Sequence, residues 1–237
     1  MTGHEPDPAL TTDLGLLDDH TARLEATAGS LADAGAPSLC EGWTRGHVLT
    51  HLARNAEAIG RLADWATTGN PEEMYPGGAA RRDADIEAGA GRGLADLRDD
   101  LAGTAQALRP RLAALHGDLG ASEVEMRGGL RISPLRLPFM RLREVVYHHV
   151  DLDAGFTFAD VADPLLVRFI DDAVERLRMG HHPPDVELRS DEGRVWQVGA
   201  PAASVSGSDA ALLLWLARRI PTGIRSDGPV PTLPRGA

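Results

Sequence analysis

Four stretches of this chain carry apolar residues at three- and four-residue intervals, and a stripe of that period has to be buried against another element. The first runs from about Pro8 to Ala34 on Leu10, Leu14, Leu17, His20, Leu24, Ala28 and Leu31. In the second, Thr44 reads as an N-cap, and Val48, Leu49, Leu52, Ala56, Ile59 and Leu62 carry the face on to Gly69. The third spans about Leu94 to Leu115, with a kink expected at Pro110. The fourth opens at Ser133-Pro134, a cap followed by proline at the first helical position, and continues to about Asp153. Four such helices predict a bundle.

The text between the second and third stripes, Gly69 to Gly93, is rich in Gly, Pro and charge. It reads as a long surface connection with one short helix around Arg82 to Ala88, of the kind that usually covers a site. A hairpin or irregular connection is expected over Ser122 to Ile132 around Gly128-Gly129. Beyond about residue 160 the pattern changes. A helix from Asp163-Pro164 is stopped by Pro183-Pro184, and the β-like runs VELRS, RVWQVG and ASVSG precede a last helix from Ser208 to Arg219. The fold class expected is therefore α+β overall, with a four-helix bundle over residues 1–158 and a small C-terminal α+β domain over 159–237.

Electrostatics narrows the partners. The net charge is −11 and all 24 basic residues are arginine, without a basic stripe, so a nucleic-acid backbone would be repelled. The single cysteine, Cys40, has no internal disulfide partner, and MTGHEPDPAL lacks the basic start and apolar run of a signal peptide, which together predict a cytoplasmic protein. No apolar run is long enough for a membrane helix, and no membrane partner is expected.

Chemistry concentrates in two short stretches. In the fourth helix Glu144 and His148 are four residues apart and share a face; in the second, His47 and His51 do the same. One histidine from the second helix with Glu144 and His148 would make a two-nitrogen, one-carboxylate set, suited to zinc with an open fourth position, although iron or manganese accept the same donors. Asp151, two turns beyond Glu144 on the same face, is placed to orient a ligand. Spacing alone leaves a solvated charged face as the competing reading, with Glu144 beside Arg143 and Arg141.

The stretches SLCEGWTRGHVLTHLARNAEAI, WATTG, MYPGGAARRDADI and MRLREVVYHHVDLDAGF resemble mycothiol-dependent maleylpyruvate isomerases, most specifically in GWTRGHVLTH and REVVYHHVD. The resemblance covers the bundle and extends weakly into the C-terminal part. It implies a DinB-like metal-binding bundle followed by a sterol-carrier-like domain. It also implies one zinc ion on His51, Glu144 and His148, with Asp151 and Arg219 as catalytic residues, Arg218 being the fallback for the latter. The implied reaction is cis–trans isomerisation of maleylpyruvate to fumarylpyruvate by a zinc-activated mycothiol thiolate. Mycothiol belongs to high-GC actinobacteria, which fits the arginine-only basicity.

Asn55, one turn after His51, and Arg82 are the residues expected to meet the thiol cofactor, with helix packing an equal reading for Asn55. Arg82, Arg81 and Arg219 are candidates for substrate carboxylates. His47 is expected to be structural, His149 to face away from the site, and Trp43 and Trp65 to be packing residues. Cys40 has no evident base in the sequence and reads as a structural thiol. Two further functions remain open: a mycothiol S-transferase acting on another electrophile, and a metal-binding module without catalysis. A monomer is expected.

Overall fold

The computed structural model describes residues 7–200 and 202–234, which divide into two compact units, 1–154 and 155–237. In the first unit, α1 (Pro8–Ser30), α2 (Arg45–Thr68), α4 (Leu94–Ala113) and α5 (Leu137–Asp151) form the bundle, and α3 (Gly78–Ala90) packs on α2. Helix α2 lies against both α4 and α5, and α1 against the same two. The predicted stripes meet in the core. Leu14 and Leu24 of α1, Leu49, Leu52 and Ile59 of α2, Leu101 and Leu112 of α4, and Leu142 and Val145 of α5 are all buried.

Local signals set the ends of the site-bearing helix. Thr44 accepts from the backbone N–H of His47, while His47 Nδ1 accepts from the Thr44 N–H at 3.2 Å, a reciprocal cap that starts α2. Gly69, at φ 76°, ends it in the left-handed conformation. The connection from Gly69 to Gly93 holds more helix than the sequence suggested. Helix α3 runs for 13 residues but buries only Ile86 and Ala90, so its apolar stripe is too thin to read by periodicity. The third stripe ends in a 3-10 turn, Ala114–His116, just after Pro110. Strands β1 (Val124–Glu125) and β2 (Arg131–Ile132) form the short hairpin expected there.

The second unit packs α6 (Asp163–Met179) and α7 (Asp209–Arg218) together beside a four-stranded sheet. Its strands are β3 (Val186–Ser190), β4 (Val195–Val198), β5 (Ala203–Gly207) and β6 (Arg225–Ser226), in the order β4-β3-β5-β6. Strands β3 and β5 are parallel, whereas β4 and β6 pair antiparallel on either side. Among the described residues no helix is long and apolar enough to cross a membrane.

Candidate metal centre

Helices α2 and α5 pack side by side and aim three donor groups at one point. Glu144 Oε2 lies 3.0 Å from His51 Nε2 and 3.6 Å from His148 Nε2, and the donor atoms of all three residues fall within 4.8 Å of one another. Tetrahedral zinc with bonds of about 2.1 Å places neighbouring donors about 3.4 Å apart. The measured separations bracket that value, so the three side chains fit such an ion with little movement. His51 is buried, and the His51 and His148 rings meet edge to face at 4.5 Å between centroids.

Behind His148 a carboxylate fixes the ring. Asp151, fully buried, brings Oδ2 to 2.7 Å from His148 Nδ1. That contact holds the hydrogen on Nδ1 and leaves Nε2 facing Glu144, the usual arrangement behind a ligating histidine. Cys40 Sγ donates to the same Oδ2 at 3.2 Å. Thus Cys40, read from sequence as a structural thiol without a base, stands beside both Asp151 and His148.

What brings Cys40 there is a turn. The backbone N–H of Trp43 bonds to the Cys40 carbonyl at 3.0 Å across Glu41-Gly42, and Gly42 at φ 80° supplies the left-handed residue that a type II turn requires. The loop is docked on the end of α5, with Leu39 N–H on the Asp151 carbonyl at 2.9 Å and Arg45 Nε on the Leu152 carbonyl at 2.7 Å. Trp43, expected as a packing residue, is carried over the donors. Its ring centroid is 5.5 Å from that of His51 and 6.4 Å from that of His148. A turn carries no periodicity to say which surface it covers, so nothing in the sequence signalled that this one lies on the donors.

The ionisation states follow from the contacts. Burial, aided by the neighbouring His148, pushes His51 down to about 4, so its ring is neutral. Burial would raise Glu144, yet hydrogen bonds from His148 and His51 hold it well below the ordinary carboxylate range. Burial would lower His148, but Asp151, Cys40 and Glu144 outweigh it and raise the ring well above its usual value.

The other expected residues are placed as follows. Arg82, on α3, brings one NH2 to 3.1 Å from His51 Nδ1. Asn55 is buried and its Oδ1 accepts from Arg141 at 2.7 Å. His47 is occupied by the α2 cap and by Glu87 at 3.1 Å, and His149 by Thr27 at 2.7 Å. Arg81 pairs with Asp85 at 2.9 Å, and Trp65 lines a groove beside Met74 and Met126. Arg219 belongs to the second unit, where its left-handed backbone (φ 62°) ends α7 and its guanidinium donates to the carbonyls of Leu216 and Pro234.

Residues 17–153 match the family model of the mycothiol maleylpyruvate isomerase N-terminal domain. The crystal structure of the mycothiol-dependent maleylpyruvate isomerase superposes with a TM-score of 0.87 at 28% identity, covering 95% of this chain and 96% of that one. A mutant of that enzyme with one histidine changed to alanine superposes with the same values. No protein of curated function matches the sequence.

Proposed function

The chain belongs to the family defined by the mycothiol maleylpyruvate isomerase N-terminal domain, and on that footing we propose that it is a cytoplasmic, zinc- and mycothiol-dependent isomerase of maleylpyruvate. The observation that carries this reading is the convergence of His51, Glu144 and His148 on one point at ligand spacing. Zinc held there would supply the Lewis acidity that keeps a thiol deprotonated, and mycothiol the sulfur that adds reversibly to the cis double bond and lets it rotate.

The protein's own side chains set the stage for that chemistry. His51, Glu144 and His148 would hold the ion, and with three protein ligands it would keep room for a thiol. Asp151 holds the His148 Nδ1 side, so that Nε2 is the nitrogen left to face a metal once its proton is lost. Cys40 donates its S–H to the same Asp151 carboxylate and so helps hold it in place. Trp43 lies against both imidazoles, tilted on His51 and stacked on His148, and so limits how either ring can turn. Arg141, held by Asn55, places a buried cation near Glu144. Asn55 thus contributes to the site through Arg141. Arg219 is carried as a catalytic residue on the family resemblance alone, its guanidinium being held here by the carbonyls of Leu216 and Pro234.

The test is an assay of maleylpyruvate with and without mycothiol, following loss of the cis isomer. Turnover that needs both the thiol and the metal is the expected result. Consumption of mycothiol without isomerisation would mark an S-transferase instead, and zinc binding without either reaction would mark a module that only holds metal.

Two graded effects should accompany it. Asp151→Asn keeps the shape but removes the charge that fixes His148, and should weaken zinc binding by about 10- to 100-fold; an unchanged dissociation constant in chelator competition would discount the role given to Asp151. Proton competition gives the second. With His148 raised well above its usual value, zinc has to displace its Nε2 proton at neutral pH, whereas His51 is already neutral. Zinc affinity should therefore rise with pH between about pH 6 and pH 7, by up to about tenfold per unit, the proton being lost as pH rises. A flat profile over that interval would contradict it.

A further inference from the structure

Arg82 and a metal ion make incompatible demands on His51. A guanidinium is a donor only, so the NH2 group 3.1 Å from His51 Nδ1 must meet a lone pair there. A neutral imidazole with its lone pair on Nδ1 carries its hydrogen on Nε2, and that hydrogen faces Glu144 Oε2 at 3.0 Å. The arrangement satisfies every group present. Ligation through Nε2 needs the opposite tautomer, with the hydrogen moved to Nδ1, where it would point into the N–H groups of Arg82. The arginine contact and the metal bond therefore exclude each other.

The guanidinium that has to leave is poorly placed to return to water. The Arg82 side chain is only 13% exposed, and it lies 5.6 Å from the centre of the Tyr75 ring. Its NH1 already holds Asp83 at 2.7 Å, whereas among the described residues the NH2 that faces His51 has no second hydrogen-bond partner. Neighbouring cations are taken: Arg54 by Asp100 at 2.6 Å and Glu57 at 3.1 Å, Arg61 by the Met74 carbonyl at 3.0 Å, and Arg81 by Asp85. A half-desolvated cation released beside a metal centre takes an anion, and a planar fork takes a carboxylate best.

We propose that Arg82 is a metal-gated carboxylate clamp: closed on His51 when the metal is absent, expelled when it enters, and then free to grip one carboxylate of a dicarboxylate substrate next to the ion. This rests on the reading that His51 ligates the metal. It assigns Arg82 to the substrate and makes recognition of the substrate conditional on metal loading.

The experiment compares the wild-type chain with Arg82→Met, which keeps the stem over Tyr75 and deletes only the donors, and with His51→Ala. Zinc affinity is read by chelator competition, and succinate, an unreactive dicarboxylate, is titrated by calorimetry with and without zinc. Removing a competitor for His51 should tighten zinc binding by about 3- to 10-fold in Arg82→Met, the opposite of what loss of a merely structural residue would do. Zinc-loaded wild type should bind succinate at least about tenfold more tightly than the metal-free protein, and Arg82→Met should lose that gain. The nitrogen shifts of the His51 ring in the metal-free protein should report hydrogen on Nε2. Unchanged or weaker zinc binding in Arg82→Met, or succinate binding indifferent to zinc, would overturn the clamp while leaving the metal centre standing. Zinc retained by His51→Ala would overturn both.

Discussion

Alanine at position 51 is expected to empty the metal centre: purified His51→Ala should carry less than about a tenth of an equivalent of zinc and lose thiol-dependent isomerisation by at least about a thousandfold. The size of the effect follows from geometry. Among the described residues His51, Glu144 and His148 converge as one donor set, and two of them, Glu144 and His148, come from one helix, so His51 is what would tie an ion to α2. His47, one turn earlier on the same helix, provides the internal control. Its ring is spent on Thr44 and Glu87, so His47→Ala should keep its zinc and lose only about 1 kcal/mol of stability through the cap. Metal analysis of the two variants side by side separates a ligand from a capping residue, and a full equivalent of zinc in His51→Ala would remove the basis for the chemistry.

The second large effect concerns stability. Arg141 is 1% exposed and donates to the Leu52 carbonyl at 2.9 Å and to Asn55 Oδ1 at 2.7 Å, joining α5 to α2 in the middle of the bundle. Burial brings its guanidinium down to about 10, against the pull of Glu144 and Tyr75, so it remains charged at neutral pH. Two opposed terms decide the outcome of Arg141→Met. Relief of the cation's desolvation favours the variant, and loss of the donors leaves the Asn55 carbonyl oxygen buried without its partner. The second term prevails while Asn55 is present, and the single variant should unfold more easily by about 2–4 kcal/mol. Combining it with Asn55→Leu removes the orphaned group and should recover at least half of that loss. Urea midpoints of the two variants check this, and a double variant no more stable than the single one would show that charge, rather than hydrogen bonding, sets the cost.

How much of this was written visibly in the sequence depends on the kind of signal. Helix α2 could be bounded almost to the residue, because Thr44 and Gly69 are cap residues with a local mechanism. The four bundle stripes were equally plain, since period 3.6 is carried by each segment alone. Helix α3 was not, having only Ile86 and Ala90 inside. The parallel pairing of β3 with β5 and the edge strand β6 depend on crossovers and register, which no local pattern encodes.

The same division runs through the site. Glu144 and His148 announce themselves by their spacing on one helix, and family resemblance singled out His51 over His47. Cys40 and Trp43 reach the site through a turn, and the contact of Arg82 with His51 arises from the packing of α3 on α2. Both are tertiary facts.

Gly42 has open space where a side chain would go, touching nothing within 4 Å, yet its φ of 80° is what lets the thiol and the indole face the same imidazole. Mutational libraries drawn by contact with the donor side chains would pass over it. Any other L-amino acid there would have room to sit but a backbone reluctant to bend, so damage to the candidate site would originate at a position with no neighbours to disturb.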